Sequence, residues 1–371
     1  MARVLLCGDV MTGRGIDQIL QHPSAPEIFE PWVTDARGYV TLAEAENGPV
    51  PRSAPVDYPW GDALAVFASL APDVRIANLE TSVTRADTPL PKGINYRMEP
   101  ANVGCLTSAA LDVCVLANNH VLDFGTAGLR ETLATLHAAG LRTCGAGRDR
   151  VEARIPAVVE LAGGGRVLVS AVATDDSGVP ASWAARADRP GVNRLAGVTV
   201  EDADRLLARI AAVRHAGDVV VLSIHWGGNW GYEVPAAWVR FAHHLVDGGV
   251  DVLFGHSSHH PRPAEVYRDR AILYGCGDLL NDYEGISGHE AYRPELVVAW
   301  VLDLDETGAV RRLGLAPFRL RRLRLERASA DDRAWLCERL TRVSLPFRGV
   351  LRDEGEATLR LVSADDPRPV G

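Results

Sequence analysis

No pair of cysteines in this 371-residue chain has CxxC spacing, although Cys7, Cys105, Cys114, Cys144, Cys276 and Cys337 are all present. Scattered through apolar runs, they read as reduced, buried thiols of a cytosolic protein, and the missing thiolate cluster counts against a structural zinc site. Positive charge is not in excess either. With 39 Lys and Arg against 48 Asp and Glu, a net charge of -9 and a pI near 5.7, the chain lacks the basic surface that a nucleic-acid binder uses to neutralise phosphates. Long apolar runs are missing as well: residues 296–302 make the run that matters most and stop after seven, far short of a bilayer. Met1 leads straight into ARVLLCGD, which leaves no room for a charged region and an apolar signal core. No membrane anchor is expected, Cys7 is a strand residue rather than a lipidation site, and a soluble cytoplasmic protein follows. Neither GxGxxG nor the Walker pattern occurs, and no repeat period suggests a solenoid or propeller.

What is there is a large potential core, since 47% of residues are hydrophobic, and an alternation of apolar strands with helix-spaced segments that indicates α/β layers. The pieces near residues 155–173 and after 296 look antiparallel, so mixed sheets packed face to face are expected. Residues 1–327 are read as one α/β domain with a long, proline-rich loop insertion at 22–58, and residues 328–371 as a C-terminal helix and tail packed on it. Trp32, Tyr39 and Trp60 are read either as lining a cleft or as pinning that insertion to the body. Ser329 and Asp332 form a capping box for the C-terminal helix. The arginines of FRLRRLRLER, residues 318–327, are read as the solvated face of an edge strand, and the stretch after Ser363 as frayed.

The stretch LANNHVLDFG, residues 116–125, follows one buried strand and precedes a helix with Leu129, Leu133 and Leu136 at helical spacing. Asn118, Asn119, His120 and Asp123 therefore fall on a loop at a strand's carboxyl end, where open α/β sheets place ligands. Asp9, Glu80, His225 and His256 stand at the same place on four other strands. Carboxylate, amide oxygen and imidazole together make a mixed donor set that suits Mn²⁺, Fe or Zn²⁺ better than Ca²⁺. One or two such ions activating a water for a displacement is the expected chemistry. His120 is the candidate to protonate a leaving group or hold a substrate oxygen, with Asp123 fixing its tautomer. Lys92 and Arg97, on the loop LPKGINYRMEP, suit a small anionic substrate. Asn118, Glu233, Asn281 and Asp282 complete the candidate substrate contacts, although Asn118 also reads as backbone support.

GDVMTGRG, NLETSVT, ANNHVLDFG, HWGGNWGYE and GHSSHHP, in that order, resemble the motif series of the CapA branch of the calcineurin-like metallophosphoesterase superfamily, often named for poly-γ-glutamate capsule biosynthesis. The resemblance runs over residues 4–282. It implies a four-layer α-β-β-α sandwich with mixed sheets and a metal centre at one end. It also implies Asp9, Glu80, Asn119, His225 and His256 as ligands, Glu80 bridging, and His120 as the acid or substrate-binding histidine. Three departures stand out. Met11 occupies the place of a ligand histidine, as in CapA-like proteins generally, which leaves the first metal site poorer in ligands. Ser258 stands where a further histidine is usual, so His259 is the substitute, with His260 the lesser one. The N-terminal membrane anchor typical of capsule-synthesis members is not expected here. The function implied is a metal-dependent hydrolase, a phosphoesterase acting on an anionic small molecule. Amide or γ-glutamyl chemistry in poly-γ-glutamate or peptide metabolism, and a non-catalytic accessory role in polymer synthesis, are the alternatives; oligomeric state is not legible.

Overall fold

The strand Ala2–Val10 is buried along almost its whole length because it has neighbours on both sides. It pairs parallel with Val74–Leu79, antiparallel with Leu296–Leu304 and, near its end, parallel with the short strand Asp278–Leu280. A run without polar alternation is what such a central position requires. In the computed structural model, which describes residues 1–355 and 358–365, this strand belongs to a ten-stranded mixed sheet. Eight of its strands run in the order Gly349–Asp353, Leu359–Ser363, Val310–Arg321, Leu296–Leu304, Ala2–Val10, Val74–Leu79, Val113–Val115, Arg142–Cys144, with Asp278–Leu280 on Ala2–Val10 and Arg324–Arg327 on Val310–Arg321 off this path. A second, six-stranded sheet runs Ala264–Tyr267, Arg270–Leu273, Val252–His256, Val219–His225, Arg166–Ala173, Ala157–Glu160.

Strand period 2 divides the second sheet between two cores. Val219 and Val221 face the first sheet, together with Phe254 and Leu273. Val220, Leu222 and Ile224 face away, under the helices Val200–Ala211 and Ala236–Asp247. The helix Gly125–Ala138 packs beside Arg142–Cys144 of the first sheet, and Ala63–Leu70 beside its hairpin strand Arg324–Arg327. The result is the α-β-β-α sandwich expected from the motifs. Among the described residues no helix is long and apolar enough to cross a membrane. All six thiols are free, five of them buried.

Two expectations are corrected and one open alternative is decided. The 22–58 segment is not loop throughout: Arg37–Asn47 is a helix that buries Tyr39, Val40 and Ala43, one helical face flanked by prolines. Trp60 is buried with its indole N–H donating to the Cys105 carbonyl at 2.7 Å, so it pins the segment's end, whereas Trp32 is 93% exposed. The arginine-rich alternation is a hairpin, not one edge strand. Val310–Arg321 turns at Arg322 and Leu323, both with positive φ, into Arg324–Arg327, and Val310–Arg321 is paired with three strands. A two-residue turn without glycine or asparagine carries no turn signal, so the alternation reads through it. Arg319 is consequently tied to Asp332 at 2.5 and 3.0 Å. That aspartate also completes the expected capping box of helix Ala330–Ser344. Beyond the helix, two strands extend the first sheet's edge; the frayed tail expected after Ser363 lies, from residue 366, outside the described residues.

Candidate metal centre

Strand ends of both sheets meet at one edge of the sandwich. Asp9 is the penultimate residue of the first strand, and its backbone N–H donates to the Gly277 carbonyl at 3.1 Å. Such close strand approach explains Gly8, where a Cβ would lie 1.7 Å from the Gly277 oxygen. The Asn78 side chain donates to Asp9 Oδ1 at 2.7 Å and to Glu80 Oε2 at 3.1 Å, holding two buried carboxylates side by side. From the second sheet, His225 and His256 are paired in register on parallel strands, and their Nδ1 atoms are 2.7 Å apart. His225 Nε2 lies 3.1 Å from Asn119 Oδ1 and 3.9 Å from Glu80 Oε1. His256 Nδ1 lies 3.7 Å from Asp9 Oδ1, while its Nε2 meets the Ser223 hydroxyl at 2.6 Å.

Charge decides what this arrangement fits. Burial, reinforced by the neighbouring Asp278, pushes the Asp9 carboxyl up, and burial with Asp9 pushes Glu80 well up. Burial drives His225 well down and His256 to about 3. Carboxylates reluctant to ionise and imidazoles reluctant to protonate, in one dry place, are groups in need of a cation that neither supplies. Asp9, His225 and His256 offer donor atoms all within 4.8 Å of one another. Oxygen and imidazole donors of this kind fit a Mn²⁺, Fe or Zn²⁺ ion.

A cavity of about 180 Å³ opens beside these donors, lined among others by Glu80, Lys92, Tyr96, His120, Asn229 and His259. His120 Nδ1 is 2.7 Å from Asp123 Oδ2, and its Nε2 is 3.8 Å from Glu80 Oε1. Burial, against the opposing pull of Asp123, lowers its pKa to about 4, so the ring is neutral at pH 7. With its one proton on the side of Asp123, Nε2 presents a lone pair. Asp123 is fixed in turn by the Tyr96 N–H at 2.6 Å and by Lys92 Nζ at 2.7 Å. Lys92 also donates to the Asn119 carbonyl.

The other candidates separate clearly. Asn118 is backbone support: its oxygen accepts from the His120 and Val121 N–H groups, and its amide donates to Asn78 and to the Leu79 carbonyl. Arg97 turns away, donating to the carbonyls of Ala86 and Ala25 and lying over Phe124. Glu233 is exposed and does not line the cavity. Asp282 accepts from Arg14 and the Gly15 N–H, and Asn281 donates to Asp278 Oδ2 at 2.7 Å, so both act one layer behind the cavity. His260 takes a hydrogen bond from the Gly231 N–H and packs against Tyr232 and Tyr292; His259 is the histidine that reaches the donors.

Residues not singled out from the sequence complete the site. Asn78 is a polar residue inside an apolar strand, and that interruption is a legible signal. Arg14, buried between Tyr39 and Tyr96, binds Asp282 and Glu30, with no pattern to announce it. Lys92, already a candidate from its loop, is the single lysine among 39 basic residues, a rarity that marks it independently of any motif.

The bacterial capsule synthesis protein PGA_cap profile matches residues 3–283. A Mycobacterium tuberculosis protein named a probable polyglutamine synthesis accessory protein is 49% identical over 350 residues, 93% of this chain and 91% of that one. The PGA biosynthesis protein CapA of Bacillus subtilis is 26% identical over 307 residues, 81% of this chain and 68% of its own length. Among solved structures, a 5'-nucleotidase precursor from Thermus thermophilus aligns with a TM-score of 0.48 at 13% identity, over 86% of this chain and 54% of that one; no activity follows from so slight a likeness. The profile match takes in every strand-end donor described above, and by it the chain belongs to the bacterial capsule synthesis protein PGA_cap family.

Proposed function

We propose that the protein is a metal-dependent hydrolase acting on a phosphoester of a small anionic molecule. The observation that carries this reading is the convergence of buried, charge-starved carboxylates and imidazoles from two sheets on a cavity that already contains a His120–Asp123–Lys92 chain. Asp9, Glu80, Asn119, His225 and His256 would hold one ion or two. A divalent cation there supplies Lewis acidity at phosphoryl oxygens and brings water into its useful titration range.

The chain's own groups do the rest. Asp123 holds the His120 ring in one tautomer, so that Nε2 faces the cavity. A phosphoryl anion beside that ring raises its affinity for a proton, which is what protonating a leaving oxygen needs. Lys92, although paired with Asp123, places its charge at the cavity wall and draws an anion toward His120.

An aryl phosphate assay on Mn²⁺-loaded protein tests this. His120→Ala is expected to lower kcat by about 10² to 10⁴ with the fold intact. Absence of any bound divalent ion, together with turnover indifferent to His225→Ala, sinks the proposal. Hydrolysis of γ-glutamyl peptides but not phosphoesters would move the same site to amide chemistry. The names of the relatives favour a second reading, an accessory of polymer synthesis without turnover; an inert, metal-free protein that still co-purifies with a synthesis partner would establish it.

A further inference from the structure

Tyr96 and Tyr283 both stand in the wall of the cavity beside the donors, and their hydroxyl oxygens are 2.9 Å apart. Each ring meets an imidazole of the cavity edge to face: Tyr96 meets His120 with centroids 4.5 Å apart, and Tyr283 meets His259 at 5.1 Å. The phenol pair thus bridges the His120 and His259 sides of the cavity. Both residues are fixed at backbone and ring. The Tyr96 N–H donates to Asp123 Oδ2 at 2.6 Å and the Tyr283 N–H to Asn281 Oδ1 at 3.0 Å, while the Arg14 guanidinium lies over the two rings, 4.4 and 5.7 Å from their centroids. Arg14, bound by Glu30 and Asp282, has a φ of 47°, a left-handed state that a residue other than glycine keeps where its surroundings impose it.

Two phenols, protonated at pH 7, carry two donor protons. One of them closes the bond between the hydroxyls. The other has Met11 Sδ, 3.6 Å from the Tyr283 oxygen, and a thioether is a weak acceptor. Among the described residues no oxygen or nitrogen takes that proton. The order in which Tyr96 donates to Tyr283 and Tyr283 to the sulfur uses both protons, and a hydroxyl hydrogen turns readily toward a better acceptor. A buried donor so poorly served costs free energy until one arrives. Oxygen carrying negative charge serves it best, since charge-assisted hydrogen bonds are the strong ones. The cavity, about 180 Å³ against the roughly 300–1,000 Å³ of ordinary ligand pockets, has room for a compact anionic head rather than a whole large molecule.

From this arrangement we infer that the Tyr283 hydroxyl, with Tyr96 donating to it from behind, binds a terminal phosphoryl oxygen of the substrate. The inference rests on the phosphoester reading above and adds a substrate-binding residue to it. Tyr283 touches the substrate; Tyr96 is a positioning residue that acts through the Tyr283 oxygen.

Calorimetry with inorganic phosphate on Mn²⁺-loaded protein tests this without reference to turnover. Tyr283→Phe keeps the ring and removes the donor, and is expected to weaken phosphate binding by about 10- to 100-fold, the worth of a hydrogen bond to a charged group, with Mn content unchanged. Tyr96→Phe should lose less, and the double variant no more than Tyr283→Phe by itself, because one hydroxyl works through the other. KM for an aryl phosphate should rise with the phosphate dissociation constant in Tyr283→Phe while kcat changes little. Phosphate affinity unchanged in Tyr283→Phe, or a fall that tracks lost Mn, overturns the inference while leaving the hydrolase reading. Should Tyr283→Phe fail to fold, unchanged affinity in Tyr96→Phe overturns it equally. Loaded wild type that binds no phosphate overturns the phosphoester reading itself.

Discussion

The two sheets bring different chemistry to the edge where they meet. The ten-stranded sheet delivers oxygen: Asp9, Asp278, Glu80 and, just past a strand, Asn119. The six-stranded sheet delivers nitrogen: His225, His256 and the loop residue His259. Neither sheet alone presents a mixed donor set. The difference teaches that the site is a property of the packing between sheets, so a bound ion and the sandwich interface stabilise each other.

The largest break in this comparison comes from Asp9, which among the described residues lies within donor distance both of His225 with His256 and of His259 with Asp278. Asp9→Asn is expected to reduce Mn²⁺ binding and phosphoesterase turnover by about 10³, more than either His225→Ala or His259→Gln alone; equal losses from all three would dissolve the asymmetry. Next is Gly8→Ala, whose Cβ has no room against the Gly277 backbone. A cost of about 3 kcal/mol in denaturant unfolding is expected, with metal affinity falling alongside because Asp9 and Asp278 are displaced together.

Stripping the ions sharpens the same contrast through pH. Asp9 and Glu80 have raised pKa values in the folded, ion-free protein. They hold protons more tightly folded than unfolded, so their contribution is full below about pH 4 and is lost as pH rises toward neutral. Because the lowered pKa values of His120, His225 and His256 push the total the other way, the carboxyl effect is read as a difference: the melting temperature of chelated wild type relative to chelated Asp9→Asn should fall between about pH 5 and pH 8. With Mn²⁺ at about a hundredfold excess over Kd, binding adds about 2.7 kcal/mol and the loaded protein should lose that downward slope. A difference between chelated wild type and chelated Asp9→Asn that climbs steadily over this range would contradict the reading of the buried carboxyls.

Away from the shared edge the effects shrink. Asp332→Ala removes the capping box and the partner of Arg319 and Arg293, and is expected to cost about 2 kcal/mol. Burial pushes that carboxyl up, but Arg319, Ser329 and Arg293 outweigh it and hold the group below the usual range. Its contribution is therefore present above about pH 4 and lost on acidification, the opposite direction to the metal edge. Urea titrations at two pH values separate the two.

Strand-end donors were legible because each closes an apolar run, and ligand positions in α/β sheets follow from that ending. Asp278 carries no comparable signal, because the three-residue strand Asp278–Leu280 is too short to have a pattern and its partner, Asp9, is far away in the chain. Arg97 and Glu233 misled for a related reason: a charged residue on the right loop says nothing about which way its side chain leaves the backbone. The helix Arg37–Asn47 and the Arg322–Leu323 turn were hidden because prolines and alternation are local signals, while tertiary pairing fixed the outcome.

A chain with one lysine has one side-chain amine, and here that amine is bonded to Asp123 at the cavity wall. Amine-directed acylation followed by intact-mass measurement should thus find a single internal label, at Lys92, whose rate reports how tightly the Asp123 pair is closed. Ion or substrate analogue in the cavity should slow that label, turning the protein's own scarcity of lysine into a built-in occupancy meter that needs no engineered probe.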